Sequence, residues 1–171
     1  MNRQHQQIYR LTLTAILVAL ATCGGSLFSF PVGAAKVAPV QHFINVLSGI
    51  LLGPYWALLQ AFLTSLLRNL LGTGTILAFP GSMIGAFLSG WLYQRTKQIW
   101  TGVAGEIVGT GIIGAICAQP IAALFMGTKG ALWIFVPSFF LSTLVGSLVA
   151  YVLLKAAWPI VTRYLSKPKE E

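Results

Sequence analysis

The sequence predicts an all-α fold, that of a polytopic membrane protein built as a bundle of six transmembrane helices with both termini cytoplasmic. Two observations carry this prediction. Charged residues make up only 8% of the 171 residues, and the mean hydropathy is +0.80. The uncharged stretches are each long enough to cross a bilayer, which takes about 20 apolar residues, and they run 11–35, 37–67, 69–94, 107–128 and 130–154. We therefore expect one transmembrane domain over residues 1–171.

The stretch 37–67 is too long for one helix and contains a break. Its 31 residues would extend about 46 Å as a helix, whereas the hydrocarbon core is about 30 Å thick. Gly53-Pro54 interrupts the helical pattern, because proline removes a backbone donor and clashes with the preceding turn. We therefore predict a hairpin of two short helices here, and six spans in all: 9–30, 39–52, 55–71, 76–94, 101–126 and 131–157.

The basic residues support this count. All 11 lysines and arginines lie near the ends of apolar runs, which is typical of topology signals and not of a nucleic-acid surface. Six spans place eight of them in the cytoplasm and three outside, whereas five spans place four inside and seven outside. Since basic residues concentrate in cytoplasmic loops, six spans with both termini inside are favoured.

Small residues at four-residue spacing indicate where helices approach each other closely in lipid. In the first span this spacing joins Ala15 and Ala19, in the predicted cytoplasmic half, where they either pack inside the bundle or dock a partner. In the last three spans, packing inside the bundle explains the pattern. Its members there are Gly81 with Gly85, Gly105 with Gly109, and the ladder Ser138, Ser142, Gly146 and Ala150.

Polar side chains converge on the predicted outer half of the bundle, which indicates a pocket open to the exterior. His42 and Asn45 share one helical face. Two roles stay open for Gln119, which either satisfies the carbonyl freed by Pro120 or faces a ligand. The loop 31–41 would cap this pocket. The candidate group is Lys36, Gln41, His42, Asn45, Arg68, Asn69, Ser82, Gln119 and Trp133.

Glu106 is the one acid before the C-terminal pair Glu170 and Glu171. It lies about 8 Å into the fifth span from the predicted cytoplasmic end. One interpretation is an interfacial carboxylate near Arg95 or Lys97. The other is a buried group that carries a proton or meets a substrate.

The sequence lacks the motifs that several classes of protein function require. The chain has no GxxxxGK[ST] phosphate loop, no HExxH, and no plausible Ser/His/Asp set, so we expect no enzyme, catalytic residue, metal or cofactor. A channel would need a repeated filter or a charged ring, and neither is visible. A binding protein, a transporter or a structural membrane protein remains.

The chain resembles the substrate-capture (S) components of energy-coupling-factor (ECF) vitamin transporters. The six short spans, the Ala15/Ala19 pair and the Gly-Pro hairpin carry this resemblance. Within that group the sequence is similar to ThiW, the S component assigned to the thiazole precursor of thiamine. The segments that match are 36–45, 52–54, 68–75 and 78–83.

The resemblance implies a mechanism and partners. The S component captures its vitamin precursor from outside the cell and docks on a transmembrane coupling subunit that carries two cytoplasmic ATPases. Such a protein lies in the bacterial plasma membrane, with the lipid bilayer as its surroundings. The docking face would be Ala15 and Ala19. The substrate contacts implied by the family are His42, Ser82, Gln119 and Trp133, to which the convergence of polar residues adds Asn45, Arg68 and Asn69.

Hydroxyethylthiazole is the favoured substrate. A site for it needs an aromatic surface, such as Trp133 or Phe79, and one or two hydrogen-bonding groups. Lys36 and Arg68 at the mouth suit a phosphorylated form better, and this tension stays open. The alternative function is a self-sufficient, proton-coupled secondary transporter of a small aromatic solute that uses Glu106.

Overall fold

Six helices and one short hairpin make up the described part of the chain, residues 3–32, 35–127 and 129–165 of a computed structural model. Lys167 and Lys169, which the charge count assigns to the cytoplasm, lie outside these residues. The elements are α1 (Arg3–Leu27), β1 (Phe30–Val32), β2 (Ala35–Val37), α2 (Pro39–Leu52), α3 (Pro54–Leu70), α4 (Ala78–Thr96), α5 (Ile99–Met126) and α6 (Val136–Leu165). The predicted six-helix bundle is therefore confirmed.

The α2–α3 hairpin turns at Gly53, as the Gly-Pro break predicts. Gly53 has a φ of +88°, a conformation that side chains with a Cβ disfavour. Pro54 follows in the first turn of α3, where its missing N–H costs nothing. Pro39 begins α2 in the same way. Because α2 has only 14 residues, it is about 21 Å long.

Several helix ends differ from the predicted spans: α1 begins at Arg3, α6 continues to Leu165, and two further differences lie next to prolines. The first helix ends at Leu27, because the chain turns into strand β1, in which Pro31 pairs with Lys36 of β2. The last helix begins at Val136, not at residue 131, and this puts Pro137 in the first turn. The residues before it form turns.

Close contact between α4 and α5 depends on glycine. A Cβ on Gly109 would lie 2.7 Å from the Cα of Gly85, and a Cβ on Gly114 would also clash with the backbone of Gly81. Between these contacts α5 contains a π-helical segment, Gly109–Gly114, which no sequence pattern predicted. Such a segment widens the turn and rotates the side chains beyond it. A third close approach joins α6 to the start of α2, where Gly146 packs against the Pro39 carbonyl.

The interior of the bundle is unusually polar at its centre. The buried apolar side chains form separate clusters, among them one around Leu77, Ala115 and Phe139 and another around Val46 and Leu154. Three helices in the described residues are long and apolar enough to cross a membrane: Arg3–Leu27, Ile99–Met126 and Val136–Ile160. The buried polar side chains outside these clusters define the candidate site.

Candidate ligand-binding cavity

A polar cavity lies where strand β2 and the start of α2 meet the helices α3 to α6. Its volume is about 30 Å³, enough for about two water molecules. Phe139 is its one aromatic wall, and the side chains of the other large members are polar or basic. The lining residues are Lys36, Ala38, Gln41, His42, Arg68, Thr75, Ala78, Ser82, Thr110, Phe139 and Ser142.

Beneath the cavity, the Glu106 carboxylate is fully buried and gathers three polar side chains on one oxygen. Its Oε1 lies 2.9 Å from His42 Nδ1, 3.0 Å from Asn45 Nδ2 and 2.9 Å from Thr110 Oγ1. The Thr110 hydroxyl also lies 2.9 Å from the Gly81 carbonyl. Among the described residues, Glu106 Oε2 has no hydrogen-bond partner. The imidazole of His42 thus lines the cavity and contacts a carboxylate that is buried from water.

A second set of bonds runs along α2 to α4. Gln41 is 2% exposed and donates from Nε2 to the hydroxyl of Ser82 at 2.9 Å. Asn45 Nδ2 donates to the same hydroxyl at 3.1 Å. Since Gln41, His42 and Asn45 occupy neighbouring positions of one helix, α2 supplies both the wall of the cavity and its floor.

Arg68, in the last turn of α3, brings a buried positive charge to the cavity. It is 3% exposed. Its Nη1 donates to Gln41 Oε1 and its Nη2 to the Thr73 carbonyl at 3.1 Å. A Cβ on Gly25 of α1 would lie 3.2 Å from the guanidinium carbon, so the glycine leaves room for the arginine.

The hairpin covers the cavity from the side of β2. The amide of Ala38 donates to Ser142 Oγ of α6 at 2.9 Å. Lys36 lines the mouth, and its Nζ lies 3.4 Å from the Gly72 carbonyl. The segment that the sequence assigned as a cap therefore does contribute to the cavity.

The structure brings four of the seven predicted site residues together. His42, Arg68 and Ser82 line the cavity, and Asn45 lies beneath them. Asn69 instead donates to the backbone carbonyls of Ser65 and Thr75, which fixes the end of α3.

Gln119 and Trp133 lie apart from this group. Gln119 donates to the Gly130 carbonyl, and Trp133 is 69% exposed. Phe139 provides the aromatic wall that was expected of Trp133 or Phe79; Phe79 packs on Phe62 instead. No sequence signal singled out Phe139 among ten phenylalanines.

For Glu106, the interfacial interpretation is wrong. Arg95 lies over the ring of Trp91 and Lys97 over the ring of Tyr93, whereas Glu106 points to His42. Thr110 and Ser142 were missed as cavity residues, because hydroxyls are common in membrane helices and their spacing alone does not distinguish packing from a site. Gln41, which also lines the cavity, could have been added to the predicted site because it is adjacent to His42.

Comparisons with known proteins agree with this fold. The family model of the thiamine-precursor transporter protein (ThiW) matches residues 11–159. A solved S component of a bacterial ECF transporter is 17% identical with a TM-score of 0.67, and the match covers 94% of this chain and 99% of that one. Comparison with curated protein sequences gives no match. Family and fold identify a multi-pass plasma-membrane protein, and the chain belongs to the ThiW family of thiamine-precursor transporter proteins.

Proposed function

We propose that this protein is the substrate-binding (S) subunit of an ECF-type, ATP-driven importer, and that it captures the thiazole precursor of thiamine, hydroxyethylthiazole, from outside the cell. The observation that carries the proposal is the polar cavity beneath the hairpin, into which His42, Arg68 and Ser82 converge. The family and the fold support a transporter subunit for a thiamine precursor.

The chemistry of the cavity suits a small polar heterocycle. Phe139 offers an apolar face for a ring, while the imidazole of His42 and the hydroxyl of Ser82 can bond the ring nitrogen and the alcohol. The cavity is narrow, about 30 Å³, so we expect the hairpin or the lining side chains to move apart when such a ring enters.

Energy coupling would come from partner subunits. The sequence has no phosphate loop of its own, so ATP hydrolysis would belong to two cytoplasmic ATPases joined through a transmembrane coupling subunit. Ala15 and Ala19 are both exposed on the outward face of α1, while Leu17 and Val18 between them are buried. A small-residue surface of this kind lets another helix approach closely.

Calorimetry on the purified chain in detergent, without ATP, tests the capture function. Hydroxyethylthiazole should bind to the chain alone, whereas thiamine, the pyrimidine precursor and riboflavin should not bind. Binding of a different vitamin would change the assigned substrate but would still support the role as a substrate-binding subunit. Absence of binding to every compound, the phosphate ester of hydroxyethylthiazole included, would refute the capture proposal.

Docking is tested by the double variant Ala15→Trp/Ala19→Trp. Two indoles on this face should prevent association with the coupling subunit while ligand affinity stays unchanged. Val145→Trp/Val149→Trp is the matched control, because these valines have the same spacing on α6 and are 44% and 47% exposed. Equal co-purification of the coupling subunit with both variants would exclude Ala15 and Ala19 as the docking face.

The burial of Glu106 favours a second candidate function, which is proton-coupled transport without ATPases. The carboxylate is 0% exposed yet linked through His42 to the cavity wall, which is the arrangement of an intramembrane proton carrier. Uptake that survives deletion of the ATPases and collapses with the proton gradient and in Glu106→Gln would favour this alternative. Uptake that depends on ATP and persists without the gradient would exclude it.

A further inference from the structure

The buried guanidinium of Arg68 has no counter-charge in contact with it among the described residues. Its Nη1 and Nη2 donate to neutral oxygens, those of the Gln41 amide and the Thr73 carbonyl. Its Nε is buried and has no hydrogen-bond partner within the described part of the chain. A charge removed from water is costly unless an opposite charge or a full set of hydrogen bonds compensates it. Arg68 therefore has unused capacity for an anion.

Lys36 adds a second positive charge at the same place. The Lys36 ammonium lies 3.4 Å from the carbonyl of Gly72, and the Arg68 guanidinium donates to the carbonyl of the next residue, Thr73. Both cationic groups thus meet adjacent peptides of one turn, and both residues line the cavity. One group is buried and the other is exposed at the mouth.

Carboxylates do not balance these charges in the described structure. The lining residues include no aspartate or glutamate. Glu106 contacts His42 at 2.9 Å and makes no bond to Arg68. The remaining acids, Glu170 and Glu171, lie outside the described residues. The cavity wall is therefore positive whether His42 is protonated or neutral.

We propose that the cavity recognises its ligand through a negatively charged group, held between Arg68 and Lys36, and that among thiazole precursors it prefers the phosphate ester of hydroxyethylthiazole to the free alcohol. This inference rests on the proposed function. A guanidinium matches the oxygens of a phosphate with paired donors, and an ammonium adds a point charge. Phe139 would then pack on the ring, while the phosphate lies toward the mouth.

A purely structural role for Arg68, that of holding the turn after α3, makes a different prediction. Loss of such a role would weaken binding of the ester and the alcohol alike, whereas loss of an anion contact weakens the ester alone. The ratio of the two affinities therefore separates the interpretations. Inorganic phosphate is the third probe, since it presents the anion without the ring.

The experiment is calorimetry on the full chain in detergent with hydroxyethylthiazole, its phosphate ester and inorganic phosphate, at two salt concentrations. In the unmodified protein the ester should bind at least about tenfold tighter than the alcohol, with the advantage reduced by salt. Lys36→Gln should weaken the ester about two- to fivefold, as for an exposed charge. Arg68→Gln should weaken it about ten- to a hundredfold, and Arg68→Lys less.

Lys129→Gln is the matched control, because Lys129 is also exposed but does not line the cavity; both affinities should stay unchanged. If Arg68→Gln fails to fold, Lys36→Gln decides alone. Alcohol that binds as tightly as the ester, or an ester advantage that survives both substitutions, overturns the inference and leaves the proposed function intact. Failure of both thiazole compounds to bind refutes the proposed function itself.

Discussion

Gly85 of α4 leaves no side chain between that helix and the Glu106 carboxylate, so Gly85→Ala tests how the cavity floor is held. A methyl group there would lie 2.5 Å from Glu106 Oε2 and 2.9 Å from Glu106 Cδ, and closer still to Thr110 Oγ1. These distances are too short for nonbonded atoms, so both side chains must shift. Their movement would disturb the bonds that position His42 and Asn45.

The expected loss of stability has three contributions. Over-packing of a well-filled interior costs about 1–3 kcal/mol. Displacement of a carboxylate from its donors costs about 1.5–3 kcal/mol more. Alanine regains about 1 kcal/mol through its better helix propensity. We expect a net loss of about 1.5–5 kcal/mol in the free energy of unfolding, together with weaker ligand binding.

Unfolding in detergent, followed by circular dichroism, measures this loss, and calorimetry measures the affinity. Gly102→Ala is the control on α5, because its methyl group would lie 3.2 Å from the side chain of Ile50 and 3.3 Å from the Ser89 carbonyl oxygen, neither of which lines the cavity. That variant should stay within about 1 kcal/mol of the parent, with unchanged affinity. A Gly85→Ala protein as stable as Gly102→Ala, or with full ligand affinity, would refute the reasoning.

Other substitutions separate the cavity from its surroundings. Gln41→Leu leaves Nη1 of the Arg68 guanidinium without its acceptor and should cost about 1–3 kcal/mol in unfolding and lower ligand affinity. Gln60→Leu is its control, because it breaks bonds to Ser48 and Thr64, which do not line the cavity; a changed affinity in this variant would contradict the prediction. Phe139→Ala should destabilise by about 3–5 kcal/mol and weaken ring binding, whereas Trp133→Ala, at a site 69% exposed, should leave calorimetric affinity unchanged. Ser142→Ala removes the acceptor for the Ala38 amide and should accelerate ligand release in stopped-flow measurements.

The helices were predictable because charge and proline mark their ends at single residues. Depth within the membrane was assigned from position along each helix axis. His42 and Glu106 were assigned to opposite halves of the bundle, yet they are 2.9 Å apart. The short α2, about 21 Å long, brings His42, near its first residue, to Glu106 in the first third of α5. A sequence pattern that assumes full-length spans does not show this contraction.

The direction in which a side chain points around its helix was less predictable. Gln119 comes after the π-helical segment Gly109–Gly114, and one extra residue rotates the next turns of the helix by about 100°. Trp133 lies in turns before Val136, where no periodicity constrains its direction. Arg68, by contrast, was expected at the outer end of its helix, and only its packing against Gly25 explains why it turns inward.

The glycine contacts between α4 and α5 have a mechanical consequence. Gly85 meets Gly109 and Gly81 meets Gly114 with backbone against backbone, so the two helices cannot come closer at these points, and the Thr110 hydroxyl bonds the Gly81 carbonyl between them. We expect α4 and α5 to move together as one rigid unit beside the cavity. Expansion for a ligand would then fall to the side of the hairpin, which is held by single hydrogen bonds from Ala38 and Lys36 and by the burial of Val37. The rate of capture would therefore depend on the breaking of these hydrogen bonds and the uncovering of Val37, and not on the repacking of α4 against α5.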